Sequence, residues 1–166
     1  YEAHALVQNR VARKLVLLVP PSDRVARILE VGCGTGILTR YLLQSFPRAT
    51  IDAIDLSPRM IATASAQLSA APTINWHTAD ARFFRSRHRY DLIISNCALH
   101  WIDPLIEGLH NLASLLKKDG RLAFSLMLNG TLAELHESRL RAAPQKPPLG
   151  KLPRLVEVAD DLRLCG

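Results

Sequence analysis

The chain is short of most features that mark specialised protein classes. Aromatic residues make up only 5% of its 166 residues, and the three cysteines, Cys33, Cys97 and Cys165, lie far apart with no CxxC pair. An odd count without that spacing excludes a disulfide framework and a zinc knuckle, and it points to a reducing, cytoplasmic setting. The apolar run near the start, Leu15 to Val19, falls far short of the roughly 20 residues that a membrane-spanning helix needs. Tyr1 rather than Met opens the chain, which leaves a preceding targeting segment open. Acidic residues are missing from Ala81 to Tyr90, where Arg82, Arg85, Arg87 and Arg89 supply four of the six excess positive charges. Elsewhere 17 basic residues face 15 acidic ones. Only Phe83, Phe84 and Tyr90 interleave with the cluster and no nucleic-acid motif accompanies it, so it reads as a solvated face or as a dock for an acidic protein.

What is present is the material of one ordinary core, with 48% hydrophobic and 22% charged residues. Ala3 to Val19 has Val7, Val11, Leu15 and Leu18 at helical spacing before Pro20 and Pro21. Arg27 to Val31 is an apolar run ending in glycines, and Ile37 to Phe46 follows as a helix stopped by Pro47. The unit repeats: Thr50 to Asp55 as a strand, then Ser57 as N-cap, Pro58 at the first helical position and a helix through Ala70. Thr73 to Thr78 and Tyr90 to Ser95 read as the third and fourth strands. A helix opened by Asp103-Pro104 carries Leu105, Leu109, Leu112 and Leu116, and Gly120 with Lys117 and Lys118 is expected to end it. Leu122 to Leu128 is expected as a fifth strand. Thr131 to Arg141 and Leu152 to Leu164 read as helices around a Pro-rich link at Pro144 to Pro148.

Strands alternating with helices predict an α/β fold, a doubly wound and mainly parallel sheet of Rossmann-like type. The expected organisation is a single domain, with an N-terminal helix over 3–19, a core over 27–128 and a lid-like helical segment over 131–165. A sheet of this kind ending at its fifth strand leaves an unpaired edge, so further C-terminal strands are expected beyond this chain.

Chemistry concentrates at the strand ends. Glu30-Val31-Gly32-Cys33-Gly34-Thr35-Gly36 closes the first strand and opens a helix, and its glycines let the backbone turn and approach a ligand. Ile37 follows, so the spacing is GxGxG and not the GxGxxG of dinucleotide folds. Asp55 ends the second strand, 19 residues past Gly36, where a carboxylate accepts both hydroxyls of a ribose or caps the following turn. Asp52, two residues on from Thr50, has the wrong alternation for that task and faces another layer. Asn96 and the Leu99 to Trp101 turn follow the fourth strand, where loop residues sit beside a reacting centre. His100 reads first as a packing or capping residue and second as a general base.

The acidic-x-GxGxG form resembles motif I of the class I S-adenosylmethionine (SAM) methyltransferases. That resemblance implies SAM as cofactor, bound by Gly32, Cys33, Gly34, Gly36 and Leu56, with Glu30 near its methionine portion and Asp55 at its ribose. Asp80 and Ala81 would lie at the adenine, and Asn96 beside the methyl. Three further stretches narrow the likeness: Tyr1 to Gln8, Ser95-Asn96 with Trp101, and Phe124-Ser125-Leu126 through Gly130 to His136. They resemble the malonyl-acyl carrier protein O-methyltransferases of biotin synthesis. The family implies methyl transfer to the free carboxylate of a malonyl thioester held on an acidic acyl carrier protein. Tyr1, Asn96, His100 and Trp101 then become substrate-side candidates, and His136, Arg139 and Arg141 candidate partners for the carboxylate. No metal is implied. Methylation of another small carboxylic acid, an arginine hydroxylase resembling a complex I assembly factor, and a SAM-binding module without turnover are the competing readings.

Overall fold

The protein is described by a computed structural model covering residues 5–20, 24–71, 73–131, 133–142 and 152–165, with the side chains of Leu135 and His136 outside that description. Six helices, α1 (Leu6–Leu18), α2 (Ile37–Ser45), α3 (Pro58–Gln67), α4 (Leu105–Leu115), α5 (Ala133–Ala142) and α6 (Leu155–Cys165), surround five strands. The strands are β1 (Arg27–Val31), β2 (Thr50–Asp55), β3 (Ile74–Thr78), β4 (Tyr90–Asn96) and β5 (Leu116–Ser125). They pair in the order β3-β2-β1-β4-β5, every neighbour parallel, which is the expected doubly wound sheet. Alternation along the strands sorts the core into two layers. Ile28, Ile51, Leu92 and Ile94 meet Ala12, Leu15 and Val16 of α1 and Leu38 and Leu42 of α2. Leu29, Ile54 and Ile93 meet Leu105, Leu109 and Leu112 of α4 and Val158 of α6. Ser57 caps α3 by accepting from the Met60 amide, with Pro58 at the first helical position as expected.

The expected boundaries around α4 and β5 are wrong. Helix α4 ends at Leu115 and not at Gly120, because Leu116 is already extended and pairs with Tyr90 at the start of β5. Lys117 therefore does not serve a helix end; its Nζ donates to Asp91 Oδ1 at 2.7 Å. Gly120 answers a different need: a Cβ there would stand 2.7 Å from the Tyr90 carbonyl oxygen, beside the break in β4–β5 register between Tyr90 and Leu92. The fifth strand accordingly begins at Leu116 rather than Leu122 and ends at Ser125 rather than Leu128. Within the segment expected as lid-like, α5 is largely exposed, whereas α6 buries Val158 against α4. Pro144 to Pro148 and Tyr1 lie outside the described residues. Among the described residues no helix is long and apolar enough to cross a membrane.

Besides Asp55 at the end of β2, three buried or half-buried carboxyl groups sit in the sheet and are handled differently. Asp52 accepts from Tyr90 Oη at 2.6 Å and from Asn75 Nδ2 at 2.7 Å, and the Tyr90 hydroxyl also meets Ser86 Oγ at 3.0 Å. This pins β2, β3, β4 and the loop ahead of β4 together at the amino ends of the strands. At the same end Asp91 accepts from the Ala26 and Arg27 amides and from Lys117; burial alone would raise its carboxyl, but these donors hold it below the usual range. Glu30, near the carboxyl end of β1, is fully buried with neither carboxyl oxygen hydrogen-bonded. Burial pushes its pKa from 4.5 to about 8, eased by Thr39 and reinforced by the charge of Asp55.

Tyr90→Phe removes a hydrogen bond to a buried charge and should lower the unfolding free energy by about 2 kcal/mol in urea titrations. The raised pKa of Glu30 means that the native state favours its protonated form. Its contribution to stability is therefore complete below pH 4.5 and lost as pH rises through about 8. Glu30→Gln should flatten that alkaline decline in unfolding free energy measured from pH 5 to 9.

Candidate functional site

All five strands point their carboxyl ends to one rim, and the loops there build the site. After β1 the chain turns through Gly32 at φ +71° and Gly34 at φ +55°, conformations that a side chain resists. The Gly32 and Cys33 amides both donate to the Ile54 carbonyl, at 2.8 and 3.1 Å, which ties the turn to the end of β2. Asp55 completes the tie. Its Oδ2 accepts from the Gly34 amide at 2.9 Å and its Oδ1 from the Ser57 amide at 2.8 Å. The turn-capping and ligand-binding readings of Asp55 are thus compatible: each oxygen is oriented by one amide and retains a lone pair for a hydroxyl.

Two clefts open on this rim. The first, about 380 Å³, is lined by Gly32, Asp55, Leu56, Asp80, Ala81 and Arg82, with Leu99 and Trp101 across from them. Its size lies within the range of small-molecule sites. Asp80 is engaged by Arg82, whose amide donates to Oδ1 at 2.9 Å and whose Nη2 donates to Oδ2 at 2.7 Å. The guanidinium beside it holds the Asp80 carboxyl below the usual range. The second cleft, about 340 Å³, is lined by Gln8, Gly34, Thr35, Asn96, Cys97 and His100. Gly32, Asp55, Ala98 and Trp101 line both clefts, so the two halves share one wall. Glu30 is buried two residues ahead of Gly32, and Cys33 is buried with its thiol pushed up by the same loss of solvent.

The structure brings Gly32, Cys33, Gly34, Asp55, Leu56, Asp80, Ala81, Asn96, His100 and Trp101 to these clefts. Gly36 stands behind them as the left-handed residue ahead of α2. Asn96 is a structural tie: its Nδ2 donates to the Gln8 carbonyl at 3.1 Å and its Oδ1 accepts from Ser125 Oγ at 2.9 Å. His100 is buried, which pushes its pKa below the ordinary value, and its Nδ1 has no partner among the described residues. Its ring packs 5.1 Å from that of the exposed Trp101. Arg139 and Arg141 do not line either cleft among the described residues, and Arg141 reaches Glu137 at 3.5 Å. The His136 side chain lies outside the described residues. Sequence reasoning missed Ala98, Arg82 as the partner of Asp80, and Ser125 as the partner of Asn96. An arginine two residues after the aspartate was the one legible signal; Ala98 offered none.

Comparison with known proteins fits this geometry. The chain is 38% identical over 160 residues to malonyl-[acyl-carrier protein] O-methyltransferase 1 of Ilyobacter polytropus, an alignment covering 96% of this chain and 60% of that protein. It is 40% identical over 154 residues to the malonyl-[acyl-carrier protein] O-methyltransferase of Halalkalibacterium halodurans, covering 87% and 57%. The chain therefore spans about 60% of the length of these relatives. Among solved structures it resembles the N-methyltransferase NodS of Bradyrhizobium japonicum in complex with S-adenosyl-L-homocysteine, with TM-score 0.62, 26% identity, and 68% of this chain and 58% of that one covered. YcgJ of Bacillus subtilis shares the fold, with TM-score 0.74 at 20% identity over 93% of this chain and 67% of that one. Residues 29–122, more than half of the sequence, match the family described as "Methyltransferase domain", and the chain belongs to that family.

Proposed function

We propose that the chain is the cofactor-binding part of a SAM-dependent O-methyltransferase that esterifies the free carboxylate of malonyl-acyl carrier protein in biotin precursor synthesis. The observation that carries the cofactor reading is Asp55, whose carboxylate is held by the Gly34 and Ser57 amides at the junction of the two clefts. The relatives' names carry the substrate.

The residues fit SAM on independent grounds. A Cβ at Gly32 would lie 2.2 Å from Ala98 Cβ, so only glycine leaves the shared wall open to a ligand. The Glu30 carboxyl, unpartnered among the described residues and protonated while the cleft is empty, would ionise beside a cationic amino acid moiety and become its counter-charge. In this reading Gly32, Cys33, Gly34 and Gly36 frame the methionine portion, Asp55 and Leu56 hold the ribose, and Asp80 and Ala81 receive the adenine. Arg82 keeps Asp80 ionised, so that carboxylate accepts and does not donate. Bound SAM supplies an electrophilic methyl group. A malonyl carboxylate is ionised at neutral pH and needs no base, which suits a cleft whose His100 is buried and neutral. The protein's remaining task is alignment and exclusion of water, for which Asn96, His100 and Trp101 form the wall. Tyr1 retains its proposed place on the substrate side by resemblance alone. Three cysteines without a disulfide accord with a cytoplasmic setting.

Asp55→Ala should weaken SAM binding by about 2 kcal/mol, roughly 30-fold, in calorimetric titration; an unchanged dissociation constant removes Asp55 from the site. With the full-length protein, labelled SAM should transfer its methyl to malonyl-carrier protein far faster than to free dicarboxylic acids. Equal rates on both would favour a small-acid methyltransferase.

A further inference from the structure

The outward face of α1 is unusual for a solvated helix. Leu6 to Leu18 contains Arg10, Arg13 and Lys14 and no acidic residue. These three cations are exposed, and so are Leu6, Val7, Leu17 and Leu18, each between 65 and 73%. The spacing 6, 10, 13, 17 puts Leu6, Arg10, Arg13 and Leu17 on one row, with Val7, Lys14 and Leu18 on the row beside it, so cations lie at the centre of this face and apolar side chains at both ends. The opposite face is already used, with Ala12, Leu15 and Val16 in the core.

The N-terminal end of α1 lies at the site, where its inward-facing Gln8 meets the cleft. Gln8 lines the second cleft, and its carbonyl accepts from Asn96 at the end of β4. The other end of α1 reaches Val19, beside Asp91 and Lys117 at the amino ends of the strands. At about 1.5 Å rise per residue, Arg10, Arg13 and Lys14 fall within about 9 Å of Gln8 along the axis.

The arginine cluster singled out in the sequence is less suited to docking a partner at the rim. Arg82 is engaged with Asp80, and Arg85 donates to Asn111 Oδ1 and the Phe84 carbonyl. Arg87 and Arg89 lie just ahead of Tyr90, whose hydroxyl is bound to Asp52, so they approach the amino ends of the strands, away from the clefts. The cleft around Arg24, Lys117, Lys118 and Arg121 lies at that same far end and includes Asp91 and Asp119.

We infer that the outward stripe of α1 is the docking surface for the acidic acyl carrier protein, a conclusion that rests on the proposed carrier-bound substrate. Cations flanked by apolar side chains complement an acidic helix interrupted by apolar residues. A membrane-lying helix segregates its cations from its apolar face, whereas on α1 both share one face. Docking there places the carrier beside the cleft entered past Gln8, so its thioester arm enters from the rim.

The test compares two substrates on the full-length protein, malonyl-carrier protein and the malonyl thioester of N-acetylcysteamine. Arg10→Glu with Arg13→Glu and Lys14→Glu should raise KM for the carrier substrate at least tenfold and flatten its salt dependence, with the small thioester unaffected. Leu17→Ser with Leu18→Ser should raise the carrier KM about threefold, and Arg87→Ser with Arg89→Ser should change nothing. An unchanged carrier KM in both α1 variants overturns the inference. So does an equal loss on the small thioester, or a loss confined to the Arg87 and Arg89 variant. Charge-reversed protein that releases anionic phosphatidylserine vesicles but keeps its carrier KM assigns the face to a membrane instead. If the wild type methylates neither thioester, the functional reading fails first. Calorimetric titration of the wild type and the charge-reversed variant with carrier protein then decides the docking surface by itself, with binding lost only in the variant supporting it and equal binding refuting it.

Discussion

Gly32 lies so close to the loop after β4 that a Cβ built on it would stand 2.2 Å from Ala98 Cβ, and its φ of +71° suits glycine alone. Two strands adjacent in the sheet but 60 residues apart in the chain are thereby allowed to bring their following loops into contact. That contact creates the wall shared by the two clefts, and every other rim feature is arranged about it. Asp55 holds the turn from the β2 side, and Ser95 Oγ donates to the Val31 carbonyl from the β4 side at 2.8 Å. Cys97, with φ +52°, then swings the chain back over the rim while its amide bonds to Ser125 on β5.

The sheet and the glycine turn were legible because both depend on local pattern. Apolar runs such as Arg27–Val31 and Thr50–Asp55 end where the strands end, since a buried parallel strand has no polar face to blur its limits. The start of β5 was hidden because Leu116 continues the apolar spacing of α4 and Lys117 and Lys118 suit a helix terminus. Only the register break beside Tyr90, a contact between distant residues, shows why Gly120 belongs to a strand. In the site, residues carrying recognisable chemistry at strand tips were legible, as with Asp55 and Asp80. Ala98 and Ser125 were not, because an alanine and a serine acquire their roles only from what the fold sets against them.

Asp52, Asp91 and Glu30 show how position determines what a buried carboxyl group does. Asp52 and Asp91 have full sets of donors and bind neighbouring strands together. Glu30 is buried more deeply than either, and neither of its carboxyl oxygens makes a hydrogen bond among the described residues. The satisfied pair lies at the amino ends of the strands and the unsatisfied residue toward the carboxyl ends, under the glycine turn.

That separation bears on how such a chain can change over evolutionary time. The polar network of Asp52, Tyr90, Asp91 and Lys117 occupies one pole of the molecule, and the loops that line the two clefts occupy the other. Substitutions at the cleft pole leave the Tyr90–Asp52 and Lys117–Asp91 fastenings untouched. A lineage carrying this architecture can therefore vary the lining of its clefts without refashioning the scaffold.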